Sequence, residues 1–465
     1  MAEVELLEIE QRDRRALETA SGQAGGRQVF IETYGCQMNL SDSELMMGAL
    51  QQSGYRPAPR LEDADVVLLN TCAIREHAQE RVVGRLAQLS RLKIKRPDLV
   101  LGVCGCMAKH LAQNLLDRAP YVDLVAGPDS YRRLPELIAE VSGEPALDVR
   151  LDRDEGYLGL DPVRRGGTNA WVTIMRGCDK FCTFCIVPYV RGRERGVAAA
   201  EVVRQVEDAA AAGFQEVTLL GQTVNSYSDA RHDFADLLRM TARVDGIRRI
   251  RFTSPHPSDF SEKVIEAMAE EEKVCRFIHL PVQSGSDAVL RAMKRTYTVC
   301  EYLDLVDRLR DAMPGVCLST DVIVGFPGET EADFEATLAL MRTVRYDSAF
   351  MFKYSPRKGT VAYREMPDTV SETEKGRRLE ATIALQNRIS EEINRTYVGQ
   401  TLEVLVEGDA RKGVGQAAGK SDGFKTVVFP RKGVRDNTFV DVEITGSTSR
   451  TLMGLLTDAS IGECP

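Results

Sequence analysis

The sequence predicts an α/β protein in three parts: an N-terminal doubly wound parallel sheet, a central partial (β/α)6 barrel and a small C-terminal β-barrel. Three observations lead there. Short β-rich runs alternate with helix-length stretches from Gln28 to about residue 141, and a second series of six strands and intervening helices follows from Trp171. After Gly399 the helical pattern stops, and about 65 residues of short strands and Gly-containing turns remain.

QVFIETY (28–34) opens the first series and leads through GCQMN to SDSELMMGALQQSG, where Ser41 and Glu44 stand at capping-box spacing and Gly54 ends the helix. VVLLN (66–70), an amphipathic stretch to about Arg96, LVLGV (99–103), a helix over about 108–118, YVDLVAG and a helix near 131–141 complete it. Strand–helix alternation of this kind argues for parallel strands. The Gly-, Pro-, Asp- and Arg-rich stretch at 146–168 reads as a linker. The barrel strands are WVTIM (171–175), EVTLL (216–220), RIRFT (249–253), RFIHL (276–280), VCLSTDVIV (316–324) and SAFMFKY (348–354). Six βα units suit an incomplete barrel better than a closed eightfold one. A long helix from the Ser371/Glu374 cap to about Arg395 closes this part. TLEVLVEG, KTVVFP, TFVDVEITG and RTLMGLL then suggest an OB-like barrel. The expected boundaries are a flexible tail over 1–26, domains at 27–145, 169–396 and 397–460, and the linker between the first two.

Composition narrows the class. The chain has 465 residues, 43% hydrophobic and 28% charged, with no apolar run of membrane-spanning length. MAEVELLEIEQRDRR lacks the apolar core of a signal peptide, so a cytoplasmic location is expected. Eleven cysteines, an odd number without an export signal, favour metal or catalytic thiols over a disulfide framework. A net charge of −9 argues against a chain coated in nucleic-acid-binding residues but leaves room for a local basic patch.

MRGCDKFCTFCIVPYVRGRE (175–194) gathers Cys178, Cys182 and Cys185 into eight residues, with no fourth Cys or His nearby. A structural zinc site takes four ligands in a closed tetrahedron. A [4Fe–4S] cluster has four irons, each needing an outer ligand, so three thiolates leave one iron open to an exogenous molecule. A zinc knuckle or a structural cluster is the competing reading. In the first domain, Cys36, Cys72 and Cys106 each lie just past the carboxyl end of a predicted parallel strand. Those ends share one sheet edge, where ligands bind, so a second three-cysteine cluster site is plausible, as are three core cysteines. Cys104 points deeper into the sheet and reads as a buried small hydrophobe; Cys275, Cys300, Cys317 and Cys464 show no grouping.

The C-x3-C-x2-C loop resembles that of the radical S-adenosylmethionine (SAM) enzymes. GCQMN (35–39), NTCAIREHAQERV (70–82), GCMA (105–108), GCDKFCTFCIVPYVRGRE (177–194), LLGQTVNSY (219–227), SPHP (254–257), LPVQSGSD (280–287), DVIVGFPGET (321–330) and YSPRKGT (354–360) extend the likeness to the methylthiotransferases, in order, over about 28–460. The C-terminal segment is similar to the TRAM domain, a small RNA-binding β-barrel. GCQMN, NTCAIRE and the GQ-x-VNSY motif point to the MiaB-type branch. That branch replaces C2–H by C2–SCH3 on an N6-isopentenyladenosine beside the tRNA anticodon. Such a C–H is neither acidic nor attached to a leaving group, so a radical route suits it.

The resemblance implies that Cys178, Cys182 and Cys185 hold the SAM-binding cluster, and that Cys36, Cys72 and Cys106 hold an auxiliary, sulfur-supplying [4Fe–4S] cluster. It also implies two SAM per turnover: one methylates a sulfur on the auxiliary cluster, another yields the radical that activates C2. A tRNA anticodon stem-loop, an electron-donating reductase and a sulfur donor or cluster-assembly system are the implied partners, with no membrane. Gly221, Gln222 and Asn225, in a βα loop, fit the SAM amino group or an ordinary turn. Ser254, Gln283 and Asp321 are candidates to line the SAM or substrate pocket. Arg295 could pair the SAM carboxylate bidentately, or be a solvated helix-end charge. His256 and His279 read as packing or hydrogen-bonding residues. The backbone at Phe326, Pro327 and Gly328 could approach adenine or form a tight turn. RGRE (191–194) offers arginines to a tRNA phosphate.

Residues 411–435 carry seven Lys/Arg (Arg411, Lys412, Lys420, Lys425, Arg431, Lys432, Arg435) against Asp422, a local charge of +6 that suits RNA. A solvated hairpin pair is the alternative. The family's Arg-x-Asp in this loop stands here as Lys420-Ser421-Asp422. Rival functions are a methylthiotransferase for threonylcarbamoyl-adenosine in tRNA or for a ribosomal-protein aspartate, and a non-catalytic RNA-binding iron–sulfur protein.

Overall fold

The computed structural model, which describes residues 26–73, 76–164 and 166–458, divides into two units. The first holds the described residues up to Gly166 together with Trp171–Asp179 and Cys185–Val197; the second holds Gly167–Ala170, Lys180–Phe184 and the described residues from Ala198 onward. The expected tail, apart from Gly26, and Cys464 lie outside the described residues.

In the first unit, β1 (Gln28–Tyr34), β2 (Arg56–Pro57), β3 (Val66–Thr71), β4 (Val100–Gly105), β5 (Leu124–Ala126) and β6 (Ala146–Asp148) form one sheet in the order β2-β1-β3-β4-β5-β6. Every pair in it is parallel. All residues of β3 and β4 are buried, as expected of strands covered on both faces. Alternation splits them between two cores: Val66, Leu68 and Cys104 pack with Met46 and Leu50 on one face, Val67, Leu69 and Val103 with Val82 and Leu86 on the other.

Three local expectations change. The helix Gln37–Gln52 begins directly after Cys36, with no side-chain cap, so Ser41 lies inside it and hydrogen-bonds to Thr173 Oγ1 at 2.9 Å. The helix expected over 108–118 is two short ones, Cys106–Leu111 and Gln113–Arg118, broken at Ala112 where φ is +44°. The stretch expected as linker carries β6 and packs on its own unit. Tyr157 stacks on Tyr131 at 5.7 Å, and its hydroxyl donates to Pro128 O at 2.5 Å.

The six barrel strands are β7 (Asn169–Thr173), β10 (Glu216–Leu220), β11 (Arg249–Phe252), β12 (Phe277–His279), β13 (Cys317–Val324) and β14 (Ser348–Lys353); the short β8 (Met175–Arg176) and β9 (Arg195–Gly196) pair in the first unit. They lie in the orders β11-β10-β7 and β12-β13-β14, with a parallel bridge between Ile250 and Val274. Ser371 caps the helix Glu372–Arg395 through a bond from Glu374 N–H, as its sequence indicates. β15 (Thr401–Asp409), β16 (Gln416–Ser421), β17 (Thr426–Pro430), β18 (Phe439–Ser447) and β19 (Leu452–Leu456) close into a barrel around Val404, Val427, Phe429 and Val442.

That small barrel docks at the N-terminal ends of the parallel strands, the end opposite the βα loops. Arg251 donates from Nε to Glu216 Oε2 at 2.8 Å and from its two terminal nitrogens to the carbonyls of Asp422 and Ser421, both at 2.8 Å. Arg249 donates to the carbonyls of Lys420 (2.8 Å) and Glu403 (2.9 Å). Phe277 stacks on Phe424 at 4.9 Å.

Candidate functional site

The sheet edge of the first unit brings Cys36, Cys72 and Cys106 to the ends of β1, β3 and β4. Buried asparagines from two of the quoted motifs tie the loops together. Asn70 donates to Asn39 O at 2.8 Å and to Ser43 Oγ at 2.9 Å, while Asn39 donates to Asn70 Oδ1 at 3.2 Å. Gly105 precedes Cys106 at φ +92°, and a Cβ there would stand 2.6 Å from Thr71 O, so the close approach of the two loops needs glycine. Cys36 sits at about 6, below the usual thiol range, because Cys72 hydrogen-bonds its sulfur and because Arg191 adds positive charge against the effect of burial. Burial pushes the Cys106 thiol up, with Arg191 opposing it. Cys104 is fully buried in the apolar core, and that burial pushes its thiol up, as suits a packing residue.

Under these thiols lies a buried ionic group with no signature in the sequence. Asp42, fully buried on the helix after Cys36, takes Arg191 Nη2 on one oxygen at 2.7 Å and Arg176 Nη1 on the other at 2.8 Å. Burial works to raise the Asp42 carboxyl, but Arg191 and then Arg176 hold it below the usual carboxylate range. Arg191 also donates from Nε to Cys106 Sγ at 3.1 Å. Arg191, expected to meet a tRNA phosphate, is therefore buried at 4% exposure and turned inward. Only long-range pairing reveals this; neither arginine nor Asp42 stands at a telling spacing.

Gly177 places Cys178. Its φ is +80°, and a Cβ would come within 2.0 Å of Arg193 O, where the backbone doubles back so that Cys178 N–H donates to Gly192 O at 3.1 Å. Cys178 and Cys185 belong to the first unit, Cys182 to the second. Of the nine described non-glycine residues with left-handed φ in the second unit, one lies in the cysteine loop, Phe181 (+48°), and three follow β11, β12 and the helix Asp287–Ala292: Ser254 (+58°), Gln283 (+71°) and Lys294 (+57°). Strain of this kind persists where surrounding structure holds a functional loop.

Arg295 stands beside Cys182, donating from Nη1 to its sulfur at 3.4 Å, from Nε to Tyr297 Oη at 2.9 Å and from Nη2 to Pro281 O at 3.1 Å. It is held in place rather than a solvated helix-end charge. Asn225 engages both amide atoms on the backbone of His256, at 2.9 and 2.7 Å, and so braces the loops after β10 and β11. Gly221 and Gln222 lead into the short turn that carries it. Burial, with Arg295 and Lys180 nearby, pushes His256 down to about 2, which leaves it neutral, with Nδ1 accepting from Ser258 N–H. Gln283 exchanges backbone bonds with Asp321 O and Ile323 N–H, both at 2.9 Å. His279 Nε2 lies 3.5 Å from Asp321 Oδ2. Phe326 is fully buried against Phe184 of the cysteine loop and Tyr354. Glu329, bonded to Gly325 N–H (2.8 Å) and Arg378 (2.6 Å), closes that turn.

Among the described residues no three His, Cys, Asp or Glu side chains close around a single ion position. That geometry concerns a mononuclear site, whereas cluster thiolates each bind a different iron. All-thiol donor sets fit iron–sulfur chemistry, and the buried Arg191 Nη1, which has no hydrogen-bond partner among the described residues, fits an anionic group beside Cys106.

The basic stretch divides in two. Lys425 is 8% exposed, with Nζ 2.6 Å from Asp347 Oδ1 and 2.9 Å from Asn394 Oδ1, so it secures the docked barrel and cannot reach a phosphate. Lys420 bonds Thr426 Oγ1 and lies over Phe424. Arg431 pairs with Asp409 (2.6 Å) and Asp436 (2.5 Å). Arg411, Lys412, Lys432 and Arg435 are exposed.

Comparison with known proteins matches the Uncharacterized protein family UPF0004 to residues 28–127, the Radical SAM superfamily to 172–341 and the TRAM domain to 395–457. The chain is 48% identical over 432 residues to a "tRNA-2-methylthio-N(6)-dimethylallyladenosine synthase" of Chlorobium luteolum, covering 92% of this chain and 97% of that one. It is 47% identical over 447 residues to the protein of the same name from Porphyromonas gingivalis, covering 94% and 96%. Among solved structures, the radical S-adenosylmethionine methyltransferase TsrM from Kitasatospora setae, with tryptophan and a SAM analog bound, aligns with TM-score 0.53 at 17% identity over 83% of this chain and 79% of that one. The cobalamin-dependent radical enzyme OxsB with aqua-cobalamin aligns with TM-score 0.52 at 13% identity, covering 78% and 56%. At such identity these two show the fold alone.

Proposed function

The chain belongs to the family of tRNA-2-methylthio-N(6)-dimethylallyladenosine synthases within the radical SAM superfamily, and from that premise we propose how its own residues serve the reaction. It is an enzyme that inserts SCH3 at C2 of N6-isopentenyladenosine in tRNA, using SAM and a [4Fe–4S] cluster. The observation that carries this is identity of 46–48% to five relatives of that name over at least 92% of this chain.

We assign the SAM-binding cluster to Cys178, Cys182 and Cys185, and a second [4Fe–4S] cluster to Cys36, Cys72 and Cys106. When bound, the first supplies the electron that splits SAM to the radical acting at C2–H, and the second supplies sulfur, two SAM being used per turnover. The residues do the rest. Gly177 and Phe181 shape the loop that presents the three thiols. Arg295 contributes positive charge beside Cys182, where the SAM carboxylate would lie. Gly221, Gln222, Ser254, Gln283 and Asp321 line the rim that receives SAM and the nucleoside, with Asn225 bracing two of its loops. Neutral His256 keeps its charge out of the site across the working pH range. No described helix is long and apolar enough to cross a membrane. A reductase and a sulfur donor or cluster-assembly system are the further partners this chemistry requires.

Mass spectrometry of nucleosides from tRNA treated with the reconstituted chain tests this reading. Isopentenyladenosine is expected to convert to its 2-methylthio derivative; conversion of threonylcarbamoyl-adenosine instead, or of neither, would remove it.

For RNA, Lys412 and Lys432 are exposed and without an ion pair among the described residues, and we assign them to tRNA phosphates with Arg411 and Arg435. Each phosphate contact releases about one counterion, so Lys412→Ala with Lys432→Ala should flatten the plot of log affinity against log salt by about two. Lys425→Ala should leave that slope unchanged. A double variant with the wild-type slope would refute the assignment.

A further inference from the structure

We propose that Arg191 is a positioning residue for the sulfur-supplying site: it holds Cys106 and the anionic group bound there through its Nε–H and an uncommitted Nη1–H, and Asp42 and Arg176 fix its direction. This rests on the assignment of Cys36, Cys72 and Cys106 as the second set of cluster ligands.

Three observations converge. Arg191 Nε already donates to Cys106 Sγ at 3.1 Å, a charge-assisted contact to a single sulfur. Its Nη2 is committed to Asp42 at 2.7 Å, and Arg176, 2.8 Å from the other Asp42 oxygen, holds that carboxylate in place, so the Arg191 guanidinium is directed by Asp42 on one side and Cys106 on the other. Its Nη1 is buried and has no hydrogen-bond partner among the described residues. A buried donor left unsatisfied costs about 1–3 kcal/mol, more on a charged group.

Charge accounting gives the same direction. Arg191, Arg176 and Asp42 together carry one surplus positive charge at side-chain exposures of 5%, 5% and 0%. Burying an unbalanced cation is expensive, so the group is complete only with an anion next to it. Arg176 has a second partner in the Tyr157 ring, 4.8 Å from its guanidinium carbon. Among the described residues, the second partner of Arg191 is the Cys106 thiol. A cluster held by three thiolates is such an anion, and so is a sulfide carried on it. The Nη1–H is then the donor that meets this sulfur, and the positive charge favours the form holding an extra electron.

The ligation makes a test possible in the full chain. Reconstituting a Cys178→Ala, Cys182→Ala, Cys185→Ala background leaves the second cluster as the sole iron species. Adding Arg191→Met should lower its midpoint potential, read by electron paramagnetic resonance during a redox titration. Chelator extraction of its iron should run about 10–100-fold faster, the usual penalty for losing an outer-shell partner. Should Met unfold the chain, Arg191→Lys decides with the same two readouts, since one ammonium cannot reach both Asp42 and the sulfur. Asp42→Asn, which frees the guanidinium without removing it, should give faster extraction by a smaller factor. Potential and extraction rate equal to those of the background would overturn the role of Arg191. A background that binds no iron would instead overturn the ligand assignment on which it rests.

Discussion

Alanine at Cys178, Cys182 and Cys185 together is expected to leave about half the iron of the reconstituted wild-type chain and no 5′-deoxyadenosine above background on anaerobic reduction with SAM. The complementary triple, Cys36→Ala, Cys72→Ala and Cys106→Ala, should also keep about half the iron, but should still form 5′-deoxyadenosine and give no methylthio product. The two triads sit on different elements, one in the loop after β8 and one along the edge made by β1, β3 and β4. Removing one set therefore leaves every ligand of the other in the chain, although Cys106 packs with Ile186 and Val190 beside the cysteine loop. Cys178 and Cys182 are 8% and 9% exposed, and alanine is smaller than cysteine, so overpacking does not arise. Iron assay, absorbance and product chromatography read the three outcomes separately. Loss of both clusters from either triple variant, or of neither, would break the division of ligands.

The local chemistry was legible in the sequence because it is written in short spacings. C-x3-C-x2-C needs no tertiary partner to be seen, and EVTLL (216–220) is a strand at those bounds, its Val217, Thr218, Leu219 and Leu220 suiting a buried strand of a parallel sheet. What the sequence could not convey is pairing at long range. Asp42 and Arg191 are 149 residues apart, and Arg191 in RGRE reads as a surface charge until its partners are known. Lys425 likewise counts toward a basic patch by composition, yet it is spent on Asp347, whose position depends on the last barrel strand. Charge counts sum over a segment; function depends on which of those charges face water. The Ser41/Glu44 spacing misled for a related reason. The chain turns helical at Gln37 because Cys36 takes the N-cap place at the sheet edge, a demand of the site rather than of local propensity.

Arg251→Ala is expected to destabilise the second unit by about 3–5 kcal/mol, because it leaves Glu216 as a buried, unpaired carboxylate. The side chains of Arg251 and Glu216 are 5% and 6% exposed, so solvent cannot take the missing partner's place. The same substitution removes the two donors that hold the carbonyls of Ser421 and Asp422 at the start of the β16–β17 turn. Detachment of the C-terminal barrel should therefore accompany the loss of stability, and limited proteolysis should cut near residue 399, where the long helix meets β15. Arg251→Lys keeps a charge for Glu216 but cannot span both carbonyls, so it should fall between alanine and wild type. The pair Arg251→Met with Glu216→Met should be less destabilised than Arg251→Ala alone, since no charge is then stranded. Because this contact lies at the N-terminal ends of the strands, 5′-deoxyadenosine formation should survive in Arg251→Lys while tRNA affinity falls. If thermal unfolding and proteolysis of Arg251→Ala match wild type, the docking contact carries no weight, and the placement of the C-terminal barrel must rest on its other contacts.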